Sequence, residues 1–172
     1  MTLIPNTHEK LREAQFFMGK LMQEAKTFRL DKKDFSYYLS AFLSAGRSVT
    51  LFLEVEQSTS YKAWFPGWRQ NLKPEESELM KFMNDQRVAV VHKEGAETQE
   101  EISMVPLAHA LTHSPLYVAY ADTGAPGAPA PEIGQNVYYF EINGKREKAQ
   151  VVCRRYLDLL DKLATDFDHA FP

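Results

Sequence analysis

The sequence predicts a mainly α-helical protein, an antiparallel bundle of four long helices with a small β-sheet inserted before the last helix. Apolar residues recur at steps of three and four in four long segments, which is the spacing of amphipathic helices. A short charged connector, 29–34, separates the first two segments, as in a hairpin of antiparallel helices. Asn143-Gly144 follows an alternating apolar stretch and is the strongest short hairpin signal in the chain.

The segment 34–56 is expected to be the central helix. Helical spacing places most of nine apolar residues between Phe35 and Val55 on one broad stripe. On another side Ser36, Ser40, Ser44 and Ser48 recur every four residues. Small side chains allow a second helix to approach closely, so this helix is predicted to have neighbours on two sides.

The other helices carry the same kind of signal. The first is expected from about His8 to Phe28, capped by Asn6 or Thr7. Pro66-Gly67 is expected to interrupt regular structure in the connection 57–73. The aromatic residues Trp64, Phe65 and Trp68 around this break either cap the core or bind a ligand. The third helix should run from Pro74 to near His92, with Gly95 as its stop, and the last from Ala149 to Phe167.

One domain is expected to cover residues 1–172, with the β insert and a low-complexity loop in about 96–148. Extended pieces are predicted at 102–107 and 116–120, followed by the loop Gly124–Pro131, rich in Gly, Ala and Pro, and a strand at 137–142. A hydrophobic content of 44% in 172 residues is enough for one sizeable core.

Composition excludes several functional classes. The net charge of −3 does not suit a protein that coats nucleic acid or anionic membrane over its whole surface. One cysteine excludes an internal disulfide and a cysteine-rich zinc site. No signal peptide is evident, and no apolar run approaches the ~20 residues that span a bilayer. We therefore expect a cytoplasmic protein without a membrane partner.

The third helix carries the residues with the clearest chemistry. Arg87 and His92 are separated by four residues, and Asn84 and Asp85 precede them. Arginine binds phosphate with a planar fork and keeps its charge, whereas histidine titrates near neutrality and can move a proton. This spacing resembles the Arg-x(4–6)-His motif of HEPN domains (higher eukaryotes and prokaryotes nucleotide-binding). The preceding helix, with Tyr-Tyr-Leu-Ser-Ala-Phe-Leu-Ser-Ala, and the last apolar helix extend the resemblance.

The resemblance implies an RNA-directed protein, either a metal-independent endoribonuclease or a non-cleaving binder of RNA or nucleotide. In the family the ribose 2′-hydroxyl attacks the adjacent phosphate, with Arg87 holding phosphate and His92 acting as acid or base. Cleaving members usually have a polar residue after the arginine, where this chain has Val88. Single-stranded RNA and a homodimer are the implied partners, and no cofactor or metal is expected.

Helix geometry explains why the resemblance implies a homodimer. Positions five apart in an ideal helix lie about 140° apart around the axis and ~7.5 Å apart along it. The two side chains meet only if the helix end unwinds or a second subunit supplies the partner. The structural alternative is a surface contact of Arg87 with Asp85 or Glu94, with His92 at the negative helix end. The alternative function is a non-catalytic homodimeric domain that binds a protein partner.

Other residues are further candidates. Arg47, in the apolar central helix, either lines a cleft with Arg87 or pairs with an acidic residue of a neighbouring helix, and the pairing is favoured. His109 and His113 have the i, i+4 spacing of a zinc pair but no evident third ligand. Cys153 is expected to pack inside the last helix rather than to react. A basic run could hold a nucleic-acid backbone or be a solvated face: Lys145, Arg146, Lys148, Arg154 and Arg155.

Overall fold

The computed structural model describes residues 3–25, 33–92, 98–106 and 132–172. This part of the chain contains five helices and a sheet of three strands. The helices are α1 (Pro5–Glu24), α2 (Lys33–Glu56), α3 (Ser58–Gln70), α4 (Pro74–His92) and α5 (Ala149–Ala170). The strands are β1 (Gln99–Pro106), β2 (Glu132–Ile142) and β3 (Lys145–Lys148). Within these ranges, no helix combines the length and the apolar character needed to cross a membrane.

The prediction of a mainly helical protein with a small antiparallel sheet before the last helix is confirmed. The sheet has the order β1-β2-β3, and Ile142 pairs with Lys145 across a two-residue turn. Asn143 and Gly144 both have positive φ, at 51° and 73°, as the favoured hairpin turn requires. The Asn143 side-chain amide donates to Glu78 Oε2 at 2.8 Å and so ties the turn to α4. The predicted extended piece 116–120 and the loop Gly124–Pro131 lie outside the described residues.

The predicted start of the first helix is wrong. α1 begins at Pro5, and no side chain of its own caps it. The carboxylate of Glu56, at the end of α2, instead accepts hydrogen bonds from the backbone N–H groups of Asn6 and Thr7, both at 2.8 Å. It also accepts bonds from the Asn6 amide and the Thr7 hydroxyl. A helix start needs acceptors for its free N–H groups, and here they come from a residue about fifty positions away.

The pKa of Glu56 reflects this cap. Partial burial of the carboxylate is the largest single influence and raises the pKa. The hydrogen bonds from Thr7 and Asn6 together outweigh it, so the pKa of Glu56 lies below its ordinary value of 4.5. The ionised carboxylate is therefore the form that the folded protein prefers.

The predicted break at Pro66-Gly67 is also wrong, because α3 runs through both residues. Proline removes one backbone hydrogen bond and strains the preceding turn. The aromatic residues of α3 offset this cost by packing on each other and on the core. Tyr61 stacks on Phe65 at 4.6 Å between ring centroids, and Phe65 stacks on Trp68 at 5.7 Å. Tyr61 and Trp68 are buried.

α2 is the central helix of the described part, because it contacts α1, α3, α4 and α5. It approaches α5 closely at Gly46, where an added Cβ would lie 2.8 Å from Tyr156 Cε1. The serine row does not serve this purpose. Ser36 and Ser44 are exposed, and the hydroxyls of Ser40 and Ser48 donate to carbonyls of their own helix at 2.9 Å. Within the described part, Ser36 and Ser44 therefore do not pack against a second helix, although α2 has several helical neighbours as expected.

The sheet closes one side of the helical core. Tyr138 of β2 stacks on Phe35 of α2 with 3.8 Å between ring centroids, and Phe140 packs edge-on against Phe82 of α4 at 5.2 Å. Phe140 is fully buried. These contacts place β2 against the start of α2 and against the middle of α4, one to two turns before Arg87.

Candidate functional site

Arg87 lies at the edge of the buried face of α4. Met83 and Ala89 of the same helix are buried in the core, and Arg87 is half-buried between that face and solvent. Its Nε atom is buried and has no hydrogen-bond partner within the described part of the chain. A buried donor without a partner costs about 1–3 kcal/mol. The guanidinium is therefore permanently charged and half-buried, with one donor that no described residue satisfies.

The residues around Arg87 are open to solvent. Asn84, Asp85 and Val88 are all exposed on α4. Asn84 precedes Arg87 by three positions, so the two side chains share one side of the helix. Asp85 makes no ion pair with Arg87 or with any other described residue. The expected Arg87–Asp85 contact is thus not present, and Glu94, the other expected partner, lies outside the described residues.

His92 is the last residue of α4, and its side chain lies outside the described part. The backbone remains helical from Arg87 through His92. The helix does not unwind before His92, so the two positions keep the separation of about 140° and ~7.5 Å that an α-helix imposes. Within one α4 helix, the two positions therefore point to different sides.

Arg47 does not form the favoured ion pair with an acidic residue of a neighbouring helix in the described part. Its Nη1 donates to Thr50 Oγ1 at 2.7 Å, one turn later on α2, and it pairs with no acidic residue of the described part. Its positive charge acts on the pKa of two buried tyrosines, Tyr61 and Tyr156. Burial raises the pKa of both tyrosines to about 12, and the positive charge of Arg47 acts against this rise. No hydrogen bond or ion pair links Arg47 to the described surroundings of Arg87.

The basic run 145–155 does not form one continuous patch. Alternation along β3 places Lys145 on one face and Arg146 and Lys148 on the other. Arg146 pairs with Glu101 at 3.0 Å and stacks over the Tyr139 ring at 4.2 Å. Arg155 of α5 pairs with Glu147 at 2.9 Å. Among the described residues only three of the five remain without an ion pair, all exposed: Lys145, Lys148 and Arg154.

The remaining candidates are Cys153 and the pair His109 and His113. Cys153 is fully buried, and burial raises the pKa of its thiol well above the ordinary value. This agrees with the expectation that it packs inside the last helix. His109 and His113 lie outside the described residues.

A concavity between α3 and α5 was not anticipated from the sequence as a site. It has a volume of about 630 Å³, and its lining includes Trp64, Trp68, Lys162, Asp166 and His169. The aromatic cluster around Pro66-Gly67 was the available signal, with core capping and ligand binding left open. Trp68 is buried in the core, whereas Trp64 is only half-buried and reaches the concavity.

Comparison with known proteins yields no relative: no protein-family model, no curated protein and no solved structure matches the chain. α4 thus carries a half-buried guanidinium at Arg87, and a histidine lies five residues further along the same helix.

Proposed function

We propose that this chain is an HEPN-like, RNA-directed protein in which Arg87 holds a phosphate of single-stranded RNA. The observation that carries the proposal is the buried Arg87 Nε, which lacks a hydrogen-bond partner among the described residues. A phosphate oxygen accepts charge-assisted hydrogen bonds from a guanidinium and would satisfy this donor. Exposed Asn84, on the same side of α4, is placed to contact the ribose or the next phosphate.

The proposed architecture is an antiparallel four-helix bundle of α1, α2, α4 and α5. Contacts between helix ends support opposite directions for neighbouring helices. Asn6 and Thr7 at the start of α1 bind Glu56 at the end of α2, and His8 lies 2.7 Å from Asp168 near the end of α5. Lys162, in the second half of α5, lies 3.3 Å from Glu76 at the start of α4. This contact supports opposite directions for α4 and α5.

Catalysis in this proposal requires a homodimer. The helical backbone keeps Arg87 and His92 about 140° apart, so the two residues of one chain do not converge on one phosphate. A two-fold dimer would bring Arg87 of one protomer and His92 of its partner to a common groove. His92 would then act as acid or base while the 2′-hydroxyl attacks the adjacent phosphate.

The test uses fluorescently labelled single-stranded RNA at low salt with a metal chelator present. We expect the wild type to bind and cleave the RNA without metal. His92→Ala should abolish cleavage and keep most of the binding, because it removes a proton-transfer group. Arg87→Ala should weaken binding at least tenfold, the size expected for one lost charge-assisted contact. Arg12→Ala is the matched control, because it removes one positive charge from an exposed ion pair on α1.

Equal losses in Arg87→Ala and Arg12→Ala would mean that only net charge matters, and the proposed role of Arg87 would be wrong. Binding without cleavage, unaffected by His92→Ala, would leave a non-cleaving RNA binder. A folded wild type that neither binds nor cuts RNA at low salt, where phosphate contacts are strongest, would refute the RNA proposal.

A second candidate function, a non-catalytic homodimeric interaction domain, is favoured by the outer face of α2. Tyr37, Ser44 and Leu51 recur every seven residues and Val55 follows one turn later, so the four share one helical face. Tyr37 is 64% exposed and Val55 80% exposed. Val55→Lys should lower the dimer fraction in sedimentation velocity, whereas Val151→Lys on α5, also at an exposed valine, should not. A wild type that is monomeric at all concentrations would exclude both dimeric functions.

A further inference from the structure

The concavity between α3 and α5 combines an aromatic wall with a carboxylate. Trp64 stacks on Trp68 with 5.9 Å between ring centroids, and its ring meets Phe167 of α5 edge-on at 5.2 Å. These contacts fix the orientation of the Trp64 indole. Because Trp64 is half-buried and lines the concavity, part of the indole remains available to a ligand.

Asp166 is held at a defined position beside the two indoles. The Trp68 Nε1–H donates to Asp166 Oδ2 at 2.8 Å, and Trp68 itself is buried. The other carboxylate oxygen makes no hydrogen bond to any residue in the described ranges. The carboxylate thus keeps acceptor capacity and a negative charge at the aromatic wall, without a basic partner of its own.

The surrounding charges favour a positive ligand. The concavity lies at the C-terminal ends of α3 and α5, where the helix dipole is negative and stabilises cations. Lys162, the cation in the lining, is directed to Glu76 at 3.3 Å and is partly neutralised by it. His169, in the last turn of α5, also lines the concavity.

We propose that this concavity is a binding site for an organic ammonium ion. The cation would lie over the indole of Trp64 and near the free oxygen of Asp166. Tryptophan is the aromatic residue that attracts cations most strongly, and a carboxylate beside it adds direct charge complementarity. The site lies on α3 and α5, whereas Arg87 lies on α4. The ammonium site therefore does not depend on the proposed function.

Tryptophan fluorescence reports on this site alone, because the chain has two tryptophans and both line the concavity. We would titrate the full chain with choline and, as the neutral control of the same shape, with 3,3-dimethylbutan-1-ol. Inorganic phosphate serves as the anionic probe. Isothermal titration calorimetry on the same proteins gives an affinity that does not depend on the fluorophores.

Choline should change the emission at millimolar concentrations, and the neutral alcohol should bind at least tenfold more weakly. Trp64→Leu and Asp166→Asn should each raise the Kd for choline by about tenfold. Lys162→Met should lower that Kd several-fold, because it removes a competing cation. Lys20→Met on α1 loses the same charge away from the concavity and should leave the Kd unchanged.

The effect of Lys162→Met on choline and phosphate binding shows whether the concavity prefers a cation or an anion. Tight binding of phosphate that disappears in Lys162→Met would overturn the proposal and indicate an anion site. Equal affinity for choline and the neutral alcohol would overturn it as well, since charge would then play no part. Absence of any choline binding to the folded wild type by both methods would show that the concavity is not an ammonium site.

Discussion

Replacing Gly46 by alanine tests a close contact between α2 and α5 in the helical core. An added Cβ would lie 2.8 Å from Tyr156 Cε1 and 3.3 Å from Leu160 Cδ1. Tyr156 is only 4% exposed, and its ring packs edge-on against Phe42 at 6.2 Å between centroids. Neither neighbour has free space to move into, so α2 and α5 must separate slightly to accept the methyl group.

The size of the effect follows from two opposing terms. Overpacking a close-packed core costs about 1–3 kcal/mol. Alanine in a helix interior is favoured over glycine by about 1 kcal/mol. Gly19→Ala on α1 isolates the second term, because nothing lies within 4 Å of its added Cβ. We expect Gly19→Ala to stabilise the protein and Gly46→Ala to be less stable than Gly19→Ala by about 1–3 kcal/mol.

Urea denaturation followed by circular dichroism measures the free energies of unfolding of the wild type and both variants. A further pair of proteins, Tyr156→Leu with and without Gly46→Ala, measures the coupling between the two sites. Removing the ring should relieve most of the cost of the methyl group. If Gly46→Ala stabilises the protein as much as Gly19→Ala does, the close packing of α2 on α5 at this point is refuted.

Three further predictions concern single side chains. Glu56→Gln should lower the free energy of unfolding by about 1 kcal/mol at pH 7, because it weakens the cap of α1. Since the folded-state pKa of Glu56 lies below 4.5, the wild-type advantage should be complete above pH 4.5 and be lost as the pH falls through that lower pKa, as acid titrations of both proteins would show. Cys153 should resist a thiol reagent in the native protein and react only at the rate of global unfolding, so rapid native labelling would contradict its burial. Leu43→Ala should cost about 2–5 kcal/mol in a denaturant melt, and an unchanged midpoint would show that α2 is not central.

The two candidate sites lie on different elements of the fold. Arg87 depends on α4 and its neighbours α2 and β2, whereas the ammonium site depends on the ends of α3 and α5. A variant that affects one site should therefore leave the other intact. RNA binding by Asp166→Asn and choline binding by Arg87→Ala are the two cross-checks.

Local sequence determined the elements whose cause is local. α2, α4 and α5 begin and end within a few residues of their predicted bounds, because each has an apolar face at helical spacing. The hairpin at Asn143-Gly144 was also predictable from local sequence, because these two residues tolerate positive φ. The spacing of Arg87 and His92 also belongs to the sequence, because the helical backbone fixes it.

Tertiary structure decided whatever depends on residues far apart in the chain. α1 starts at Pro5, a residue type favoured in the first helical turn, but nothing near it in sequence indicates that the carboxylate of Glu56 accepts hydrogen bonds from its first N–H groups. α3 continues through Pro66 because burial of its aromatic face outweighs the lost hydrogen bond. The exposure of Ser36 and Ser44 likewise depends on which helices pack where, as does the lack of a hydrogen-bond partner for Arg87 Nε among the described residues. Propensity and periodicity are local, whereas caps, burial and partners are set by long-range contacts, and only the folded chain brings those together.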